Sequence, residues 1–166
     1  MLALAGGASA QQQQAAQEQP LPTATPVIEV SGGEKSLYRI AVPDLLGTGG
    51  RGGEAAGVLR SDFALISLFK VLDPASFVAN LQAEALSITP SSWQSVGAQG
   101  VIKGELKIAG TGLEANMHFF EVPKGATATL SRSYKGTPAD LRKYMHAFAN
   151  EVVKLLTGQA GAFGTR

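Results

Sequence analysis

Between residues 101 and 134, polar and apolar positions alternate with a period of two, the signature of strands with one buried face. Over 101–108, Ile102, Leu106 and Ile108 fall on one side and Lys103, Glu105 and Lys107 on the other. Gly110-Thr111-Gly112 reads as a turn, after which Leu113, Ala115, Met117 and Phe119 alternate with Glu114, Asn116 and His118. A second turn at 122–125 leads to a third run, where Leu130, Arg132 and Tyr134 oppose Thr129, Ser131 and Ser133. Runs joined by such short connections predict an antiparallel meander. Upstream, 37–42 alternates through Tyr38, Ile40 and Val42 until Pro43-Asp44, and 69–72 reads as a short strand stopped by Asp73-Pro74.

Elsewhere the period changes to three and four. Ala55, Val58, Leu59, Phe63 and Ile66 predict a helix over 54–66, its apolar side broken by Asp62. Leu141, Tyr144, Met145, Phe148, Val152 and Leu155 form a longer stripe. Thr137-Pro138-Ala139-Asp140 supplies its cap, a helix-starting proline and a first-turn acid, and Gly158 is placed to end it. Thr89-Pro90 starts a short helix that ends near Gly97, and 76–81 is a short helical or irregular piece. The predicted fold class is α+β: a mixed or antiparallel sheet of about five strands, two to three helices packed on it, and a long C-terminal helix.

The start of the chain has a different character. Residues 1–10 are apolar and small and end in Ala8-Ser9-Ala10, the pattern of a signal-peptide remnant with its cleavage site. No Lys or Arg precedes the run, so a flexible apolar beginning is the alternative reading. Residues 11–26 hold a glutamine run and then Pro20, Pro22 and Pro26, a composition with too little to bury, which predicts a disordered linker. The folded domain is expected over 27–158, opening with Val27-Ile28-Glu29-Val30, and 159–166 is a Gly-rich tail.

Composition narrows the chemistry. With 166 residues there is room for one ordinary domain and a tail. The net charge of +1, without a basic stripe, argues against nucleic acid as a partner. Zero cysteines remove disulfides, thiolate metal sites and Cys nucleophiles together. No stretch approaches the roughly 18 apolar residues of a membrane span, so no membrane insertion is expected. The glycine-rich loop at 47–53 matches neither GxGxxG nor GxxxxGK[ST] and reads as a flexible loop. His118 and His146 lie on different elements with no ligand at i+4, and no serine has a GxSxG context. Neither a catalytic residue, a metal site nor a cofactor is therefore expected. His146 is expected to hydrogen-bond within the fold, and His118 to be exposed on the polar side of its strand.

Three stretches resemble the amino-terminal domain of TolB, a component of the Tol–Pal system. They are Tyr38-Arg-Ile-Ala-Val-Pro-Asp44, Trp93-Gln-Ser-Val-Gly-Ala-Gln-Gly-Val-Ile-Lys-Gly-Glu105, and His146 followed by the closing Leu156-Thr-Gly-Gln-Ala-Gly-Ala-Phe-Gly-Thr-Arg166. The resemblance implies a periplasmic, non-enzymatic interaction domain that serves envelope integrity and outer-membrane constriction. It implies that Val27, Ile28, Glu29 and Val30 form a strand that docks on a TolA-like protein; an edge strand of the domain itself is the other reading of these residues. In the family a β-propeller follows the Thr-Arg and carries the main contact with the Pal lipoprotein, so binding of a Pal-like protein is not implied for these residues. Phe163 is then a candidate for interdomain contact, and Trp93 for a core or interdomain packing role. The competing reading is a domain of similar fold in another envelope assembly or secretion complex; a small hydrolase is disfavoured by the missing motifs.

Overall fold

The computed structural model describes residues 36–164. The strand expected at 27–30, with the leader and linker before it, lies outside the described residues. From the amino-terminal side the elements are β1 (Tyr38–Ala41), β2 (Leu46–Gly47), α1 (Gly52–Ala64), β3 (Phe69–Val71), α2 (Leu81–Glu84), α3 (Pro90–Ser95), β4 (Gly100–Ala109), β5 (Gly112–Glu121), β6 (Leu130–Gly136) and α4 (Leu141–Thr157). The fold is α+β, with a long C-terminal helix as expected.

The strands form one mixed sheet in the order β3-β1-β4-β5-β6, with β2 paired to β4 off this path. The expected meander is its β4-β5-β6 half, with Ile102 in register with Phe119 and Phe119 with Leu130. The other half is parallel: β1 lies between β3 and β4 and runs parallel to both. Alternation along a strand reports which face is buried but not which strand lies beside it, so this half was not legible from the pattern.

Helices α1 and α4 cover one face. Ile102, Leu106, Met117 and Phe119 point into that layer and meet Leu59 and Phe63 of α1 and Met145, Phe148 and Val152 of α4, all essentially without solvent exposure. The intervening residues point the other way, where Val101 and Phe120 join Ile88, Trp93 and Val122 in a second, smaller cluster under the α2–α3 lobe. Arg51 links the starts of the two long helices: its guanidinium pairs with Glu54 at 2.7 Å and donates to the Pro138 carbonyl at 2.8 Å. The glycine-rich loop thus ends in a packed helix start: a Cβ on Gly52 would fall 1.8 Å from the Leu45 carbonyl oxygen.

Three expectations need correction. Lys103, placed by alternation on the solvent side, is only 3% exposed. Asp62 does not break the packing of α1 but is itself buried, for the reason given below. At the end of α4, Leu156 is buried and Leu155 is 39% exposed, because the buried surface winds on with Val152, Val153 and Leu156 rather than following the straight stripe.

Candidate functional site

After α4, Gly158 adopts a left-handed φ of 74° and turns the chain, its N–H donating to the Lys154 carbonyl. The residues that follow run back along the helix as a strap, which Asn150 fastens at Phe163. The Asn150 side-chain amide donates to the Phe163 carbonyl at 2.8 Å, and its oxygen accepts from the Phe163 N–H at 2.9 Å. The Phe163 ring, partly buried, packs against the main core. Gly161 has to be glycine for this approach, since a Cβ there would lie 2.4 Å from the Asn150 oxygen. The strap reaches His146 at its far end: a Cβ built on Gly164 would lie 3.2 Å from the Cβ of His146. His146 Nδ1 is 2.8 Å from the Asp62 carboxylate, so α4 is pinned to α1 beside the strap. Burial pushes the Asp62 carboxyl above the ordinary carboxylate range, against the opposing pull of the His146 hydrogen bond and charge. The hydrogen bond expected of His146 within the fold is this one.

Trp93 lies in the second cluster, fully buried, its ring edge-on to Phe77. Its indole N–H lies 3.2 Å from both carboxylate oxygens of Glu84. The same carboxylate accepts from the Thr89 N–H at 2.7 Å and pairs with Lys103 at 3.0 Å. The Lys103 ammonium in turn sits 5.6 Å from the Trp93 ring centre. Every polar atom of this knot has a partner, and among the described residues no buried side-chain nitrogen or oxygen lacks one. Thr89 serves α3 through its backbone; its side chain makes no capping bond. The arrangement anchors the α2–α3 lobe to the sheet, which accounts for the buried lysine.

Remaining candidates for chemistry are dispersed. His118 is half-buried and bonded to the Ser131 hydroxyl at 2.8 Å; burial holds its imidazole below the ordinary histidine range. A shallow recess of about 320 Å³ at the β4–β5 tip is bordered by Lys107, Leu113, Glu114 and Lys135 and contains no histidine or hydroxyl nucleophile. Among the described residues no cluster of histidines and acids is placed to hold a metal ion. None of their helices is long and apolar enough to cross a membrane. Trp93 and Phe163 were singled out from the sequence. Asn150 and Glu84, which fix their surroundings, were not, and Asp62 was read only as a break in the apolar side of its helix. An acid inside the apolar stretch Leu81 to Ile88 was a readable signal for Glu84; nothing local marks Asn150.

These features define an α+β domain whose buried acids and lysine, with the partly exposed His146, act in packing, and whose exit is a fastened strap. A family profile described as the TolB amino-terminal domain matches residues 26–128, and the chain belongs to that family. A Tol-Pal system protein TolB of Anaeromyxobacter dehalogenans (strain 2CP-C) is 37% identical over 147 residues, covering 85% of this chain and 33% of that protein. The Tol-Pal system protein TolB of Chromobacterium violaceum is 33% identical over 140 residues, covering 84% of this chain and 32% of that one. The crystal structure of TolB from Acinetobacter baumannii shares the fold, with a TM-score of 0.61 at 22% identity over 76% of this chain and 30% of that chain. The chain therefore spans about a third of the length of the relatives it matches.

Proposed function

We propose that these residues form the amino-terminal interaction module of a Tol–Pal component. In this reading it acts in the periplasm, through protein contact and not catalysis, in envelope integrity and in outer-membrane constriction during division. Membership of the TolB amino-terminal domain family, with relatives named as Tol-Pal system proteins, is the observation that carries the reading. The contact strand is Val27-Ile28-Glu29-Val30, whose β-branched residues around one acid suit addition to the sheet edge of a TolA-like protein. Phe163 and its strap serve the second contact, toward whatever domain follows. Trp93 contributes indirectly, by stiffening the lobe in which it is buried.

The test is a pull-down from detergent-solubilised cell envelope with the full chain and with a chain lacking residues 27–30. Recovery of a TolA-like protein that is lost with the deletion supports the reading. Recovery of a different envelope complex, unaffected by the deletion, would replace it with a role in another assembly.

A further inference from the structure

The two edges of the sheet differ in chemistry. At β6 the chain's own side chains occupy edge carbonyls: Arg132 donates to the Ser131 carbonyl at 2.9 Å and the Tyr144 hydroxyl to that of Lys135 at 2.8 Å. A β-bulge interrupts the ladder where it begins, since the Thr129 N–H bonds the Phe119 carbonyl although Phe119 is in register with Leu130. Both devices discourage pairing with another chain.

At the opposite edge, β3 has neither. Its ladder with β1 uses the Leu68 carbonyl, which accepts from Tyr38, and the Leu72 N–H, which donates to Ile40. In a parallel pair, alternate residues face the partner. The backbone of Phe69 and Val71 therefore faces away from β1. The Phe69 N–H is taken by the Ile66 carbonyl at 3.1 Å. Among the described residues, the Phe69 carbonyl and both backbone groups of Val71 have no partner. Leu65 and Val78, which precede and follow this strand in the chain, are 80% and 68% exposed. Lys70 is exposed and in register with exposed Arg39, whose Nε bonds the Gly97 carbonyl. Neither cation has a carboxylate partner among the described residues.

We infer that the β3 edge accepts an extended strand of a partner polypeptide, with an acidic residue set between apolar, β-branched ones. Such a strand satisfies the outward groups of Phe69 and Val71, and its carboxylate lies across from Lys70 on the Lys70–Arg39 face. This surface accepts a strand, whereas residues 27–30 are proposed to donate one, so the two ideas fail independently.

The test is fluorescence anisotropy of the full chain with a labelled octapeptide of Val, Thr and Ile around one central Glu, and with its twin carrying Lys instead. The Glu peptide is expected to bind, and Lys70→Glu to weaken it about ten-fold or more while allowing the Lys twin to bind. Lys70 is exposed, so the thermal midpoint of the variant should match that of the parent. Amide shifts on binding should centre on residues 69–72. Equal affinity for both peptides, indifference to Lys70→Glu, or shifts centred on β6 would each overturn the inference. Tighter peptide binding by Glu29→Lys would assign the edge to the chain's own residues 27–30. A concentration-dependent dimer lost in Lys70→Glu would assign it to a second copy, and either result would overturn a foreign strand as the edge's resident partner.

Discussion

Lys103 and Glu84 show how a single buried pair can fix a lobe. Each carries a charge into an apolar cluster, and each is held by the other, with Trp93 and the Thr89 N–H completing the carboxylate's shell. Removing one partner should therefore do more harm than removing both. Lys103→Ala is expected to destabilise the domain by about 3–5 kcal/mol in urea unfolding, because it leaves a buried carboxylate unpaired. The double variant Glu84→Gln with Lys103→Met, which keeps an amide oxygen to accept from the Trp93 indole and the Thr89 N–H, should be clearly more stable than Lys103→Ala alone. Trp93 is the only tryptophan and touches both residues, so its emission reports the transition directly. A double variant as unstable as the single one would mean that the pair contributes specific attraction beyond mutual charge compensation. Lys103 also shows where the sequence stopped being readable. The alternation placed it correctly on the second face of β4, but the partner that buries that face belongs to another element.

At the scale of elements, α4 was the most legible. Its start signals, stripe and stop glycine all lie within one contiguous stretch, and the structure departs from them only at the last turn. The Asp140 carboxylate accepts from both the backbone N–H and the hydroxyl of Thr137, at 3.0 and 2.8 Å, and these bonds hold it below the ordinary carboxylate range. A value lowered by folding gives a contribution that is complete above the unfolded value of about 3.9 and is lost as pH falls through the folded value. Asp140→Asn should therefore lower the melting temperature at pH 6. The difference from the parent should shrink as scanning fluorimetry is taken down to pH 2. A constant difference across that range would place the effect in packing and not in the carboxylate. The parallel half of the sheet was the least legible, because β1, β3 and β4 are joined through a helix and a lobe and no local pattern states which of them meet. The strap fell between: Phe163 was marked by its place among glycines, while Asn150 had no feature to distinguish it from any polar residue on a helix.

For the whole molecule, the strap determines how the domain presents the chain that leaves it. Asn150→Ala removes two hydrogen bonds to Phe163, and a bond of this kind contributes about 0.5–1.5 kcal/mol. Amide exchange should show lost protection at Phe163, with the core strands β4 and β5 little changed. Unaltered protection at Phe163 would mean that its ring, and not the clamp, holds the strap. Gly161→Val should release the strap in the same way by obstruction, which protease cleavage within 159–164 would reveal.

The interior position of β1, between β3 and β4, also sets the order in which the molecule can be made. It is the first strand of the described residues, yet the Arg39 N–H bonds Gln99 and the Gln99 N–H bonds the Arg39 carbonyl, across a separation of 60 residues. A chain appearing from its amino terminus has β1 in hand early and can pair it with β3 alone, while its other edge waits for β4. Contacts between such distant residues form slowly. The nascent chain therefore stays open, with β1 half-paired, until the β4–β5 hairpin arrives and closes the sheet.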